Sequence, residues 1–316
     1  MRQPPSLSVV ADIGGTNTRV ALAEGPALRP DSIRRFRNAD HPGLEPILRA
    51  YLDTMGIEAC AGACVAVAGP VRDGVARMTN LDWEMTERSI AAATGAARVA
   101  ILNDLQAQGH ALDHLGRESL LPVLPGRPAP AGAARLVVGL GTGFNAAPVH
   151  CTPSGLVVAP SECGHVTLPT RSAAELRLAR HIEAQHGFAA VEDVLSGRGL
   201  AGLHAWHSHN GADLGPAEVM QAIAAQDPLA TEAGRLFVGL LGRVMGDLAL
   251  IHLPFGGVFL IGGVARAFGP WLEPFGFGEA FHDKGRFSDF LGNFPVALVT
   301  DDYAALQGCA GHLAAR

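Results

Sequence analysis

Short apolar runs alternate with longer segments of helical periodicity along the chain, and this alternation predicts an α/β protein. The first half carries strand patterns at residues 8–13, 18–23, 64–68 and 99–102, and helical patterns at 44–55 and 104–115. A segment rich in Pro, Gly and Ala at 121–134 predicts a loop. We therefore place a domain boundary after residue 115.

The second half repeats this order of elements. Strand patterns occupy residues 136–140, 156–159 and 258–261, and helical patterns occupy about 172–186, 229–253 and 303–314. A strand that opens into a glycine turn lies near the start of each half. This correspondence indicates two related α/β lobes around a cleft.

The composition and net charge of the chain limit the kinds of molecule that it is expected to bind. The chain has 316 residues, of which 48% are hydrophobic and 17% charged, so it is able to bury a substantial core. Its formal net charge is -6, and Lys and Arg are scattered, which argues against a nucleic-acid partner. A small phosphorylated ligand held by backbone amides is compatible with this charge.

The five cysteines do not suggest a disulfide framework, because their number is odd and their spacing irregular. Cys60 and Cys64 are close enough to share a metal, but no second Cys/His pair lies at zinc-finger spacing from them. We interpret this pair as small buried hydrophobic residues.

Two segments bear on location. The first residues, Met-Arg-Gln-Pro-Pro-Ser, lack the long apolar stretch of a signal peptide. The uncharged segment 248–265 is nearly long enough to span a bilayer, but Pro254 and two glycine pairs interrupt it. We therefore expect a helix end, a turn and a buried strand there, no membrane association, and a cytoplasmic protein.

The first candidate site is the turn after the strand at 8–13. Asp12 lies inside the apolar strand, and the turn that follows contains Gly14, Gly15, Thr16 and Asn17. Exposed amides of a glycine turn suit phosphate oxygens, and the Asp12 carboxylate suits Mg²⁺, directly or through water. A plain β-hairpin turn is the alternative, and it explains the glycines but not the acid.

A second glycine turn, formed by Gly141, Thr142 and Gly143, ends the strand at 136–140. It matches neither a Walker loop, which ends in Gly-Lys-Ser/Thr, nor a dinucleotide fingerprint, which has a third glycine and a following helix. Together with the first turn, it indicates the second half of a phosphate clamp.

Three further segments carry acidic or imidazole groups. Asp104 follows Asn103 at the start of a predicted helix, where Asp is also a common N-cap. Glu162 and His165 are three residues apart, and a single residue separates Glu192 from the Val-Leu-Ser-Gly sequence that follows it. The alternatives here are solvated acids, a buried structural histidine, or a metal site at Glu162 and His165 that lacks a third ligand.

Six motifs in this order resemble the bacterial glucokinases, which are hexose kinases of the actin-like ATPase superfamily. They are Asp-Ile-Gly-Gly-Thr-Asn at 12–17, Leu-Asn-Asp at 102–104, Gly-Thr-Gly at 141–143, Glu-x-Gly-His at 162–165, Glu-x-Val-Leu-Ser-Gly at 192–197, and Gly-Gly-Val-Phe-Leu-Ile-Gly-Gly at 256–263. The resemblance continues through Asp-Lys-Gly-Arg-Phe at 283–287 to Gly-Cys-Ala-Gly-His-Leu at 308–313.

The resemblance implies a two-lobed α/β fold of the actin-like ATPase (ribonuclease H-like) type, with the active site between the domains. The C-terminal helix returns to the first lobe in this fold. We therefore expect a small domain of residues 1–115 completed by 299–316, and a large domain of residues 116–298. A homodimer is also implied.

The resemblance further implies roles for individual residues. Asp104 corresponds to the catalytic base, Asn103 to a sugar ligand beside it, and Glu162, His165 and Glu192 to the other hydroxyl-binding groups. The turn around Asp12, Gly14, Gly15, Thr16 and Asn17 corresponds to the first phosphate loop, Gly141, Thr142 and Gly143 to the second, and Gly262 with Gly263 to the adenosine-side loop. The expected reaction is transfer of a phosphoryl group from MgATP to glucose, giving glucose 6-phosphate.

Two positions depart from the family pattern. Asn145 stands where the second phosphate loop usually has a further glycine, and Cys163 interrupts the usual Glu-Gly-Gly-His. Neither change removes a side chain to which chemistry is assigned. The related sugar-kinase family that includes repressors is disfavoured, because no cysteine-rich zinc motif follows His165 and no DNA-binding extension precedes Asp12.

Two alternative functions remain open from the sequence. One is a kinase for another hexose or an N-acetylhexosamine, since the residues do not reveal the space around the second sugar carbon. The other is a non-catalytic nucleotide- or sugar-binding regulator. The presence of Asp104 and of every residue type expected among the sugar ligands argues against this alternative.

Overall fold

The computed structural model describes residues 7–78, 81–208 and 214–316. The first six residues, on which the signal-peptide argument depends, lie outside these ranges. The chain divides into two compact units. Unit 1 comprises Met1–Arg117, Pro153–Pro160 and Asp301–Arg316, and unit 2 comprises Glu118–Thr152 and Ser161–Thr300. The division into functional domains at residue 115 stays a prediction.

The structure is a mixed α/β protein. Its strands are β1 (Leu7–Ile13), β2 (Asn17–Glu24), β3 (Ala27–Leu28), β4 (Arg34–Arg37), β5 (Gly62–Val67), β6 (Val71–Arg72), β7 (Val75–Arg77), β8 (Glu84–Thr86), β9 (Arg98–Asn103), β10 (Leu120–Leu124), β11 (Arg135–Leu140), β12 (Phe144–Thr152), β13 (Gly155–Val158), β14 (Val258–Ile261) and β15 (Val296–Val299). Its α-helices are α1 (Leu44–Met55), α2 (Glu87–Thr94), α3 (Asp104–Ala111), α4 (Ala173–His186), α5 (Val191–Val194), α6 (Gly197–Ser208), α7 (Pro216–Ala224), α8 (Pro228–His252), α9 (Gly263–Phe268), α10 (Phe277–His282), α11 (Ser288–Leu291) and α12 (Ala304–Ala314).

Unit 1 is built on a sheet with the order β3-β2-β1-β5-β9, and β4 also pairs with β2. The central strand β1 is antiparallel to β2 and parallel to β5. Because side chains alternate along a strand, Val9 and Ala11 share a buried cluster with Leu48 of α1, whereas Val10 joins Ala107 of α3 in another. Burial on both faces explains why these strands are visible as continuous apolar runs.

Helix α12 closes the second face of this sheet against α3. Its run of Ala and Gly residues permits close packing, and Cys309 and Leu306 lie in the shared core. His312 Nδ1 lies 3.0 Å from His110 Nε2, which joins α12 to the end of α3. Burial lowers the pKa of both imidazoles to about 4. Helix α3, which carries Asp104, is therefore packed against α12 at Ala107 and at His110.

Unit 2 contains a second mixed sheet, in which its strands have the order β10-β15-β14-β11-β12. Strand β11 is antiparallel to β12 and parallel to β14. The long helix α8 supplies much of the core, where Phe237 stacks on Phe268 with ring centroids 4.6 Å apart. The sheet places the turn between β11 and β12 at the edge where β14 also ends.

Most of the predicted elements are confirmed to within one or two residues, and two predictions are wrong. The predicted loop at 121–134 contains β10, an edge strand antiparallel to β15, where the register shift between Pro122 and Leu124 accommodates the proline. The predicted helix at 104–115 ends at Ala111. Strand β12 has no counterpart in the sequence prediction.

The apolar segment 248–265 has the structure that its proline and glycines predicted. Helix α8 ends at His252, Leu253 has a left-handed backbone with φ 48°, and β14 begins at Val258. Of the helices in the described ranges, none is long and apolar enough to cross a membrane. All five cysteines are free, and Cys60 and Cys64 are buried as expected.

Candidate active site

Asn103 and Asp104 lie where β9 passes directly into α3. Asn103 is the N-cap: its Oδ1 accepts a hydrogen bond from the Leu105 amide at 3.0 Å. Gln106 Oε1 accepts from the Asn103 amide at 3.1 Å, which completes a capping box. Asn103 Nδ2 donates to the Gly69 carbonyl at 3.1 Å. The capping role considered for Asp104 therefore belongs to Asn103, and Asp104 is the first residue of the helix.

Asp104 is partly buried, and its Oδ1 accepts from the Leu105 amide at 2.9 Å. Burial raises the pKa of this carboxyl to about 6, since desolvation disfavours the charged form. The bond from Leu105 opposes the rise in pKa, and the carboxylate of Asp12 adds to it. A carboxyl with this pKa is mostly ionised at pH 7 and is a stronger base than an ordinary aspartate.

Asp12 is the second partly buried carboxylate of unit 1. Its Oδ2 lies 3.6 Å from Arg19 Nη1 on the antiparallel strand β2. Burial raises the pKa of Asp12, and the positive charge of Arg19 opposes that rise. The charge of Asp12 makes ionisation of Asp104 in the same unit less favourable.

The first glycine turn connects β1 to β2, so the hairpin alternative describes its backbone correctly. Gly14 donates to the Asn17 carbonyl at 3.0 Å, and buried Asn38 donates from Nδ2 to the Gly14 carbonyl at 2.8 Å. None of Gly14, Gly15 and Asn17 has the left-handed backbone that favours glycine. Because the turn does not require a left-handed backbone, its conformation alone does not explain the glycines.

The second glycine turn, at 141–143, connects β11 to β12 and lies against Glu192. A Cβ atom on Gly143 would come within 2.5 Å of Glu192 Oε2, so only glycine permits this contact. Glu192 Oε2 accepts from the Phe144 amide at 2.9 Å, and Arg198 Nη2 donates to Oε1 at 2.6 Å. The structure therefore brings a predicted phosphate loop and a predicted sugar ligand into direct contact.

Glu162 and His165 lie on a 3-10 turn at Cys163–His165, and both are exposed. Gly164 between them is buried, and a Cβ atom there would collide with the Phe144 carbonyl. This close approach places the turn beside the start of β12. Within the described ranges, no cluster of three His, Cys, Asp or Glu side chains is arranged to hold a metal, so the Glu162–His165 metal alternative gains no third ligand.

Gly262 and Gly263 lie between β14 and α9. Gly262 has φ 118°, and its Cα packs against the carbonyl of Leu140, the last residue of β11. The predicted adenosine-side loop of unit 2 therefore adjoins its predicted phosphate loop.

One cavity of about 910 Å³ lies between α4 and α6 in unit 2. Trp206, His181 and Ile182 line it, and none of the predicted site residues does. Arg198 reaches its edge while pairing with Glu192. The cavity is separate from the candidate site, because the predicted catalytic, sugar-binding and phosphate-binding residues do not line it.

The sequence assigns no role to four residues that contribute to these arrangements: Asn38, Gln106, Asn145 and Arg198. Gln106 has a readable signal, since it lies three residues after the N-cap in the capping-box pattern. The other three act through contacts between segments distant in sequence or through a surface ion pair, and no local pattern indicates them.

Comparisons with known proteins identify the family of the chain. A family model described as Glucokinase matches residues 9–316. The chain is 36% identical over 305 residues to a glucokinase of Chromohalobacter salexigens, and the match covers 95% of each protein. It is 34% identical to a glucokinase of Saccharophagus degradans, over 96% of this chain and 97% of the relative.

Solved structures give the same assignment of the fold. A glucokinase from an Antarctic psychrotroph superposes with a TM-score of 0.86 at 30% identity, over 98% of both chains. A glucokinase from Balamuthia mandrillaris, at 22% identity, shares the fold with a TM-score of 0.83 over 98% of this chain and 94% of its own. The fold is that of the actin-like ATPases, as predicted, and the chain belongs to the glucokinase family.

Proposed function

We propose that this glucokinase transfers the γ-phosphoryl group of ATP to the primary hydroxyl of D-glucose, giving glucose 6-phosphate and ADP, with Asp104 as the general base. Membership of the family supports the reaction. The observation that carries the role of Asp104 is its raised pKa of about 6 at the start of a rigidly capped helix. A base needs this combination of proton affinity and fixed position.

Asp104 takes the proton of the attacking hydroxyl as the bond from oxygen to phosphorus forms. A positioned base typically contributes about 10²–10⁴-fold to the rate of such a step. Positioning of the sugar contributes much of the remainder in phosphoryl transfer. Asn103 assists as a sugar ligand, because its Nδ2 carries a second hydrogen beyond the one donated to Gly69.

Glu162, His165 and Glu192 bind the other sugar hydroxyls. The two carboxylates accept hydrogen bonds from sugar hydroxyls, and the imidazole adds a directional contact. Glu192 is held by Arg198 and by the Phe144 amide, so its carboxylate is already oriented before a sugar arrives. The exposed positions of Glu162 and His165 leave their polar atoms accessible to a ligand.

The phosphate groups of ATP bind to the two glycine turns. We assign the first phosphate loop to Gly14, Gly15, Thr16 and Asn17, the second to Gly141, Thr142 and Gly143, and the adenosine side to Gly262 and Gly263. Exposed backbone amides at such turns attract phosphate oxygens. The absence of a left-handed backbone in the first turn supports this reading, since its glycines then serve access rather than backbone geometry.

Asp12 suits Mg²⁺ bound through water. Mg²⁺ prefers carboxylate oxygens and usually retains several waters, and Asp12 offers a partly buried carboxylate at the end of β1. Its pairing with Arg19 at 3.6 Å is loose enough to leave the oxygens available. When bound, the ion neutralises charge on the phosphates. We also propose a cytoplasmic homodimer whose product enters glycolysis.

A sugar panel tests the reaction. Purified protein with MgATP is offered glucose, mannose and N-acetylglucosamine, and ADP release is coupled to a spectrophotometric signal. We expect strict dependence of ADP release on sugar, and the highest kcat/KM with glucose. A higher kcat/KM with mannose or the N-acetylated sugar would reassign the substrate. Absence of sugar-dependent ADP release with every sugar would contradict the kinase reaction.

A further inference from the structure

Asn145, the second residue of β12, is bonded through its side chain to the segment that carries Glu162. Its Oδ1 accepts from the Cys163 amide at 3.1 Å and from the Ala146 amide at 2.8 Å. Its Nδ2 donates to the Ser161 carbonyl and lies 3.4 Å from Glu162 Oε2. One amide group therefore contacts all three residues from Ser161 to Cys163.

The chemistry of these contacts requires an amide. Two backbone N–H groups point at Oδ1, so this atom has to be the acceptor, and the NH₂ group then faces the Ser161 carbonyl and the Glu162 carboxylate. Aspartate would retain the acceptor but lose both donors. It would also place a second negative charge beside Glu162.

We infer that Asn145 is a positioning residue that sets the orientation of Glu162 for sugar binding. The inference rests on the proposed function, in which Glu162 binds a sugar hydroxyl. Glu162 is exposed, and an exposed glutamate side chain samples many rotamers when nothing holds its backbone and carboxylate. Asn145 restricts both, so less entropy is lost when the sugar binds.

The backbone of this segment has further supports, so removal of the amide is expected to leave the fold intact. Ser161 Oγ donates to the Ala146 carbonyl at 2.6 Å. Gly164 packs against the Phe144 carbonyl. These contacts keep the segment beside β12, while the direction of the Glu162 side chain depends on Asn145.

A positioning role of this kind has a distinct kinetic signature. Glu162 contacts the sugar in the ground state and in the transition state alike, so a displaced Glu162 weakens both equally. Loss of such uniform binding raises KM and leaves kcat nearly unchanged. A purely structural role would instead lower the melting temperature and the fraction of active enzyme, with KM unchanged.

The test compares wild type with Asn145→Asp and Asn145→Ala, using calorimetric titration of D-glucose, steady-state kinetics and thermal unfolding. Asn293→Asp is the matched control, because Asn293 Nδ2 makes a local bond to the Phe290 carbonyl away from the site. We expect the glucose Kd and KM to rise about tenfold or more in both Asn145 variants, and most in Asn145→Asp. We expect kcat of both variants to stay within about threefold of wild type and their KM for ATP to be unchanged. The control Asn293→Asp should match wild type in every measurement.

An unchanged glucose Kd in both Asn145 variants would overturn the inference. So would a fall in kcat with KM unchanged, or a rise confined to the KM for ATP. Glu162→Gln separates the role of Asn145 from the proposed kinase reaction. An unchanged glucose Kd in this variant would mean that Glu162 does not bind the sugar, and would overturn the role of Asn145 as well. Glucose-dependent ADP release by the wild type would still leave the proposed reaction standing.

Discussion

Asp104 in unit 1 is repelled by another carboxylate, Asp12, whereas Glu192 in unit 2 is paired with the guanidinium of Arg198. Burial and the like charge give Asp104 a pKa of about 6. Glu192 instead has both oxygens engaged, one by Arg198 and the other by the Phe144 amide. The two carboxylates are thus prepared for different work. High proton affinity suits a base, and a carboxylate held by one hydrogen bond on each oxygen suits a rigid ligand with acceptor sites left for a sugar.

The comparison predicts that the loss of Asp104 affects the rate far more than it affects binding. Asp104→Asn retains an oxygen that accepts from Leu105 but removes the basic carboxylate. We expect kcat to fall at least about a hundredfold, while the glucose Kd stays within about threefold. Single-turnover kinetics and calorimetry measure the two quantities.

Asp53→Asn is the control for this variant, because Asp53 is an exposed aspartate on α1 of the same unit. It should match wild type in both measurements. Turnover near the wild-type rate in Asp104→Asn would remove Asp104 from its role as base.

Glu192→Gln should show the opposite pattern. The amide oxygen still accepts from Phe144, but Arg198 loses its charged partner and the sugar loses a charged acceptor. We expect the glucose Kd to rise about tenfold, with a smaller loss of kcat than in Asp104→Asn. If kcat of Glu192→Gln fell as far as that of Asp104→Asn while its glucose Kd stayed unchanged, the two carboxylates would not have different roles.

Arg198→Met should have a smaller effect on glucose affinity. The Arg198 side chain is 66% exposed, and exposed ion pairs are typically worth about 0–1 kcal/mol, which is up to about fivefold in Kd. Arg171→Met, which removes the exposed pair with Asp283, serves as the control and should leave the Kd unchanged. A change in Kd above about thirtyfold would mean that Arg198 binds the ligand itself.

The smallest expected effect is on stability. A raised folded-state pKa means that ionised Asp104 destabilises unit 1, and this cost develops as pH rises from about 4 through 6. Asp104→Asn should therefore raise Tm by a few degrees at pH 7 and by nearly nothing at pH 4. Thermal unfolding at both values measures the difference, and His110 and His312 titrate equally in the two proteins. An equal shift in Tm at both pH values would contradict the burial cost.

The fold was predictable where burial produces continuous apolar runs. Strands β1, β5 and β9 are visible for this reason, and the glycine turns mark the ends of β1 and β11. Strand β10 was hidden because it is an edge strand with Pro122, and β12 because it follows the glycine turn directly without a separating polar segment.

The site was predictable only as a set of residue types. The order of motifs indicates Asp104, Glu162 and Glu192, but burial of Asp104 depends on how β9, α3 and α12 pack, which no local pattern reveals. The bonds from Asn145 to the 161–163 segment span up to 18 residues. In the sequence, Asn145 is visible only as a departure from the family pattern. Side-chain partners across distant segments are determined by tertiary structure.

The acid limb of kcat/KM for glucose, at saturating MgATP, tests the role of Asp104 most directly. We predict that activity falls below an apparent pKa of about 6, because protonated Asp104 no longer accepts the hydroxyl proton. The limb should persist in His165→Gln, which lacks the imidazole of the proposed sugar site, and be absent from the residual activity of Asp104→Asn. The account would be contradicted if the acid limb of kcat/KM survived in Asp104→Asn. It would also be contradicted if wild-type kcat/KM stayed constant down to about pH 4.5.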